Sequence, residues 1–135
     1  MKNKRIIALA LAAGITLPGN ARGAMAEATR TSHDLTVKAE KKDTTENVQK
    51  TYDGDSASAN VTTYKNTTNK GYLRLRVLRG KTAVTNYQNI NAVTKYRLKY
   101  KADKSVMTGQ AFKLRGYVAE GVTKGTGTMK GVFQP

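Results

Sequence analysis

The sequence predicts an all-β protein, a small antiparallel β-sandwich or barrel of about seven strands that follows a cleavable signal peptide. Three observations predict it. Apolar and polar residues alternate along the chain after residue 57, turn-forming residues recur about every ten positions, and an apolar stretch near the N-terminus follows basic residues.

The segment 1–26 has the organisation of an export signal. Basic residues stand within the first five positions, and the apolar run 6–17 that follows is shorter than the ~20 residues needed to span a bilayer. A Pro-Gly pair ends that run, and Ala-Met-Ala at 24–26 offers the small residues that signal peptidase recognises. We therefore expect cleavage before Glu27, secretion, and a mature single domain over residues 27–135.

The chain contains no cysteine. Small exported domains often rely on disulfides, so this one is expected to be held by packing and hydrogen bonds alone. Cysteine-free secreted domains favour a Gram-positive bacterium as the source.

Strands are predicted wherever two-residue alternation runs between turn residues. They cover residues 35–39, 57–65, 72–79, 82–87, 93–101, 111–119 and 126–133. The chain has no alternating strand and helix rhythm, which argues against a doubly wound α/β fold. The polar segment 40–58 does not fit the alternation and is predicted as a flexible loop or one short helix, since Val48 and Tyr52 are four residues apart.

Basic residues are concentrated in the C-terminal part of the chain. The whole sequence has 24 Lys and Arg against 9 Asp and Glu, a net charge of +15. Residues 61–135 hold 15 basic and 2 acidic residues, whereas residues 27–60 hold 5 basic and 7 acidic ones. An anionic partner is therefore expected to bind the C-terminal part, although a high net charge also maintains solubility.

Three of the predicted strands have one apolar face and one basic face. In the strand 72–79, Leu73, Leu75 and Val77 alternate with arginines. The basic faces together define seven candidate anion-binding residues: Arg74, Arg76, Lys95, Arg97, Lys99, Lys113 and Arg115. If the three strands share a sheet, these side chains form one cationic surface. A bound anion would relieve the repulsion between like charges that lie opposite each other.

A second interpretation of the basic faces stays open. In it the strands are dispersed over two sheets, and the charges only solvate edges and prevent aggregation. Tyr72 and Tyr117 have the same parity as the cations, so they are candidates for stacking on bases or sugar rings, but tyrosine is also a common strand residue. No specific nucleic-acid-binding motif accompanies them.

Residue types that support catalysis or metal binding are scarce. His33 is the only histidine and stands close to the signal peptide in a stretch expected to be mobile, so no catalytic triad is predicted. A nuclease would need a general acid and base, and the basic region offers only Asp103 and Glu120, both in predicted turns. The sequence at 53–56 starts like a calcium loop but lacks the later ligands of an EF-hand. We expect no catalytic residue, no metal and no cofactor.

The sequence therefore favours a non-enzymatic module that binds an anionic polymer or membrane surface outside the cell, such as cell wall polymers, lipid head groups or acidic glycans. The alternatives are a secreted bacteriocin-like toxin that acts on cell envelopes and a structural or matrix subunit that assembles through strand edges. Adsorption to cell walls, killing of sensitive cells and the size distribution in solution distinguish the three.

Overall fold

A computed structural model describes residues 30–135, which form an all-β domain with antiparallel sheets. The predicted signal peptide, 1–26, lies outside the described residues. The strands are β1 (Thr31–Lys38), β2 (Asp43–Thr44), β3 (Val48–Gln49), β4 (Ser56–Asn66), β5 (Leu73–Arg79), β6 (Thr82–Ala83), β7 (Gln88–Ile90), β8 (Lys95–Lys99), β9 (Ala111–Val118) and β10 (Thr126–Gln134). Within this part of the chain the one helical element is a 3-10 turn at Ala102–Lys104.

The strands form two antiparallel sheets. The first has the order β1-β10-β4-β8. In the second, β9 and β5 are the central pair, with β2 and β3 along the outer side of β9 and β6 and β7 along the outer side of β5. The sheets are joined at their margins, by a tight turn from Lys38 to Lys41 on one side and by a bridge between Thr85 and Tyr100 on the other.

The hydrophobic core lies between the two sheets, and residues from both inner faces fill it. Leu73, Leu75 and Val77 of β5 are fully buried, whereas the arginines between them are half-buried on the outer face. Phe112 of β9 and Phe133 of β10, one from each sheet, are also fully buried. Burial of a side chain of this size contributes roughly 1.5–3 kcal/mol. The predicted all-β class is confirmed, and its physical basis is the burial of one face of each long strand.

Two glycines of strand β10 lie directly against neighbouring strands, with no space for a β-carbon. The register between β4 and β10 shifts just before Gly131, where the chain forms a bulge. A β-carbon on Gly131 would overlap the carbonyl oxygen of Asn60 and lie 3.0 Å from His33 Nε2. A β-carbon on Gly127 would overlap the side chain of Leu73. Both positions therefore require glycine for space, not for an unusual backbone conformation.

The predicted strand 82–87 is shorter than expected. Only Thr82–Ala83 pairs as a strand before β7 begins at residue 88. Between them the hydroxyl of Thr85 accepts the N–H of Val77 at 3.0 Å, so a side chain replaces a backbone carbonyl as the hydrogen-bond acceptor there. The sequence pattern does not reveal this substitution, because threonine is equally common in regular strands.

The segment 40–58 forms neither a free loop nor a short helix. Its strands β2 and β3 line the edge of β9, and Thr45 and Lys50 donate their N–H groups to carbonyls of the β9 region at 2.9 Å. Val48 is buried while Tyr52 is exposed, so the two residues do not form the apolar stripe of a helix. The backbone groups at the edge of β9 need hydrogen-bond partners, and this requirement outweighs the weak helical spacing.

His33 is also placed differently from the prediction. It lies in β1 and is only 2% exposed, in line with Leu35 and Val37 on the inner face. The alternation of buried and exposed residues in β1 therefore begins at His33, two residues before the predicted start of the strand at residue 35. The expectation of a mobile stretch at His33 was wrong, because the residue is part of β1, its ring is buried, and its Nδ1 bonds the carbonyl of Met129.

Candidate anion-binding face

The structure divides the seven candidate anion-binding residues into two groups. Four lie on the outer face of the central strands β5 and β9, and three lie on β8 at the edge of the other sheet. The first group is Arg74, Arg76, Lys113 and Arg115, and the second is Lys95, Arg97 and Lys99. The condition that all three strands share a sheet is not met, so the seven side chains do not form one continuous surface.

Two tyrosines organise the arginines of the first group. The guanidinium carbons of Arg74 and Arg76 lie 4.2 and 4.3 Å from the centroid of the Tyr87 ring. They lie 5.7 and 5.1 Å from the centroid of Tyr117, and the two rings meet edge to face at 5.1 Å. We call Arg74, Arg76, Arg115, Tyr87 and Tyr117 the arginine–tyrosine face. Cation–π contacts within it hold the guanidinium groups in fixed positions on the sheet.

Each arginine of this face donates through Nε to a neutral acceptor. Arg74 bonds the carbonyl of Val118 at 2.9 Å, and Arg76 bonds the hydroxyl of Tyr117 at 2.9 Å. Arg115 bonds the hydroxyl of Thr44 at 2.8 Å. Among residues 30–135, no protein group accepts a hydrogen bond from the Nη atoms of these arginines. The paired N–H groups that bind carboxylate or phosphate in a bidentate manner are therefore available to a ligand.

Two of these cations are direct neighbours across the sheet. Arg76 and Arg115 occupy opposite positions in the β5–β9 register. Like charges directly opposite each other destabilise a strand pair by roughly 0.2–1 kcal/mol. In the described part of the chain the one ion pair is between Arg97 and Asp55, so neither of the opposed arginines is neutralised by a carboxylate. The arrangement carries a local excess of positive charge without an internal counterion.

The sequence pattern indicated the arginines and Tyr117 but not Tyr87. Tyr72 has the right parity, yet the contacts with the arginines are made by Tyr87, which stands just before β7 and is 41% exposed. The last pair between β5 and β7 joins Leu75 and Gln88, so continuing that register places Tyr87 beside Arg76. The sequence does contain a tight turn after β5, and this turn brings the residues that follow it back alongside β5.

The basic residues of β8 have a different environment. Arg97 donates to Asp55 at 3.0 Å and to the hydroxyl of Ser56 at 2.8 Å. Hydrogen bonds from Ser56 and then from Arg97 lower the pKa of Asp55. Lys95 and Lys99 are exposed on the same strand. Because both side chains of the Arg97 pair are exposed to water, the pair contributes little to stability.

The residues weighed above for catalysis or metal binding lie at separate places in the fold. His33 donates from Nδ1 to the carbonyl of Met129 at 3.2 Å and is buried on the inner face of β1. Asp103 lies in the 3-10 turn and Glu120 in the turn after β9, and both are exposed. Over the residues that the structure describes, no three His, Cys, Asp or Glu side chains are grouped as metal ligands would be. Across the same residues, no helix has the length and apolar character needed to cross a membrane.

Comparisons of the chain with protein-family models, with curated proteins and with solved structures found no match. The chemistry of the arginine–tyrosine face is therefore the basis on which a function is assigned.

Proposed function

We propose that this protein is a small secreted, non-enzymatic module that binds an anionic polymer or surface outside the cell through the arginine–tyrosine face. The ligand class includes cell wall polymers, anionic lipid head groups and acidic glycans, which share closely spaced phosphate, sulfate or carboxylate groups. The observation that carries the proposal is the pair of opposed cations Arg76 and Arg115, which has no carboxylate partner within residues 30–135.

The geometry of the face supports recognition of anionic groups and not of bases or sugar rings. The Tyr87 ring contacts two guanidinium groups and packs edge to face with the ring of Tyr117. These rings are already engaged with protein groups, whereas the Nη atoms of the arginines are not. A ligand therefore meets charged hydrogen-bond donors first, and Arg binds phosphate and carboxylate in a planar, bidentate geometry.

The direct test is binding to a polyanion across a salt series. Immobilised heparin, purified cell walls and phosphatidylglycerol vesicles are the probes, each titrated with protein between about 50 and 200 mM salt. The wild-type protein is expected to bind, with affinity that falls steeply as salt rises, because the binding free energy comes largely from charge neutralisation.

Matched double variants separate an organised site from net charge. Arg76→Gln with Arg115→Gln is expected to weaken binding at least tenfold and to reduce the salt dependence, since two contacts are lost. Lys41→Gln with Lys42→Gln removes the same charge from two exposed residues outside the face and is expected to change affinity less than threefold. Equal losses in the two variants would show that binding follows net charge alone. No binding to any of the three probes at low salt would refute the proposal.

A further inference from the structure

The side chain of Lys50 is buried up to its ammonium group. It follows β3 and is 2% exposed, and its ammonium nitrogen lies 5.1 Å from the centroid of the Tyr100 ring. Within residues 30–135 this ammonium has no hydrogen-bond or ion-pair partner. The nitrogen itself keeps a small contact with water, while the aliphatic part of the side chain is covered.

Lys50 lines an open groove on the side of the molecule where β4 and β8 meet. The groove has a volume of about 520 Å³, and Tyr52, Ser58, Lys95 and Arg97 also line it. Sites for small molecules have volumes of ~300–1,000 Å³ and combine apolar walls with a few polar groups. The groove therefore has the size of a small-molecule site, and its least exposed charged residue is Lys50.

The two acidic residues of the groove are engaged by other donors. Asp53 accepts from the hydroxyl of Thr108 at 2.8 Å. Asp55 accepts from Arg97 at 3.0 Å and from Ser56 at 2.9 Å. Neither carboxylate accepts a hydrogen bond from Lys50, although both lie near enough for their negative charges to raise its pKa.

Burial and the neighbouring carboxylates act on the pKa of Lys50 in opposite directions. Burial lowers the pKa of Lys50, and the charges of Asp53 and Asp55 oppose this effect only in part. Burial raises the pKa of the Tyr100 hydroxyl, so at neutral pH this residue is a phenol and not an anionic partner. The charged form of Lys50 would be stabilised by an anion in the groove.

We propose that the groove binds a small monocarboxylate, whose carboxylate pairs with the ammonium of Lys50. A monoanion fits better than a phosphate dianion, because a second negative charge would lie close to Asp53 and Asp55. The apolar part of the ligand would contact Tyr52, whose ring is 49% exposed at the groove. This site is separate from the arginine–tyrosine face, since the groove is formed by the β4 and β8 side of the molecule.

The test is an NMR titration of the wild-type protein with sodium benzoate, with sodium phosphate and sodium chloride as the comparison anions. Benzoate is expected to bind in the millimolar range, as its small size allows, and to shift amide signals of residues 50–58 and 95–97. It is also expected to raise the pKa of Lys50, measured from the side-chain carbon next to the amine. Phosphate and chloride are expected to produce smaller shifts at equal ionic strength.

Variants identify the residue responsible. Lys50→Met keeps the aliphatic part of the side chain in place and is expected to weaken benzoate binding at least tenfold, whereas Lys130→Met removes an exposed lysine and is expected to have no effect. The double variant Arg76→Gln with Arg115→Gln is expected to bind benzoate like the wild type, so failure of this site and failure of the proposed function are distinguishable.

Three results would overturn the inference: unchanged benzoate affinity in Lys50→Met, benzoate shifts centred on the arginine–tyrosine face, or a Lys50 pKa that benzoate does not raise. The pKa measurement uses the wild-type protein, so it decides the question even if Lys50→Met does not fold.

Discussion

Substitution of Gly131 by alanine tests the close packing at the centre of the first sheet. The new β-carbon would overlap the carbonyl oxygen of Asn60 and lie 2.8 Å from its carbonyl carbon, closer than the 3.0 Å below which real β-carbon contacts essentially do not occur. The obstacle is backbone, which cannot rotate away like a side chain, so β4 and β10 must separate by roughly 1 Å. Overpacking of this kind costs about 1–3 kcal/mol, and weakening of the two backbone hydrogen bonds next to the bulge would add about 1 kcal/mol each.

The expected loss is therefore about 3–5 kcal/mol in the free energy of unfolding, a large part of the ~5–15 kcal/mol that stabilises a domain of this size. Urea denaturation followed by circular dichroism measures it, provided that the m-value is unchanged. Gly71→Ala is the control, because no atom lies within 4 Å of its new β-carbon, and it should change stability by less than about 0.5 kcal/mol. A loss below about 1 kcal/mol in Gly131→Ala would refute the reasoning.

Three further predictions concern titration, the arginine–tyrosine face and processing. Burial lowers the pKa of His33 below its ordinary value of 6.5, so the unfolded chain takes up a proton more readily than the native one. The free energy of unfolding should therefore fall as pH drops below about 6.5. A His33→Gln variant with the same pH profile would contradict this. Tyr87→Leu keeps every charge but removes the ring beside Arg74 and Arg76, so heparin affinity should fall several-fold while the salt dependence stays the same. An unchanged affinity would show that the ring does not position the guanidinium groups. N-terminal sequencing of the extracellular protein should find Glu27 or a residue close to it, and a chain that still begins at the initiator methionine would exclude cleavage.

Local periodicity predicted the faces of the long strands but not their neighbours. The alternation around Leu75 and Leu114 correctly separated buried from outward side chains, because each strand has a period of two whatever it pairs with. Pairing is a long-range property: β8 follows β5 along the chain, yet it pairs with β4, and no feature of residues 95–99 indicates this choice. The sequence therefore left open whether the seven basic residues share one sheet or are divided between two, and it did not indicate which residues belong to each group.

The short strands of residues 40–58 were missed for a related reason. Their hydrogen bonds are made to β9, about 70 residues further along the chain, and their own sequence is polar and mixed in charge. Such segments become strands because an edge offers backbone partners, not because their side chains alternate. Tyr87 belongs to the same category, since its contacts with the arginines depend on the return of the chain along β5.

The three strands are dispersed over two sheets, as the second interpretation of the basic faces assumed, and the two groups of basic residues occupy different positions within those sheets. Strand β8 is at the edge of the first sheet, so exposed charges on Lys95 and Lys99 are explained by the need to prevent pairing with another chain. Strands β5 and β9 are central, and strands on both sides already satisfy their backbone groups. Protection of an edge therefore does not explain Arg76 and Arg115. Because the two positive charges lie directly opposite each other, they destabilise the strand pair, which a neutral pair would not do. The binding role proposed above would account for this pair, because an anion that bridged the two guanidinium groups would offset their repulsion.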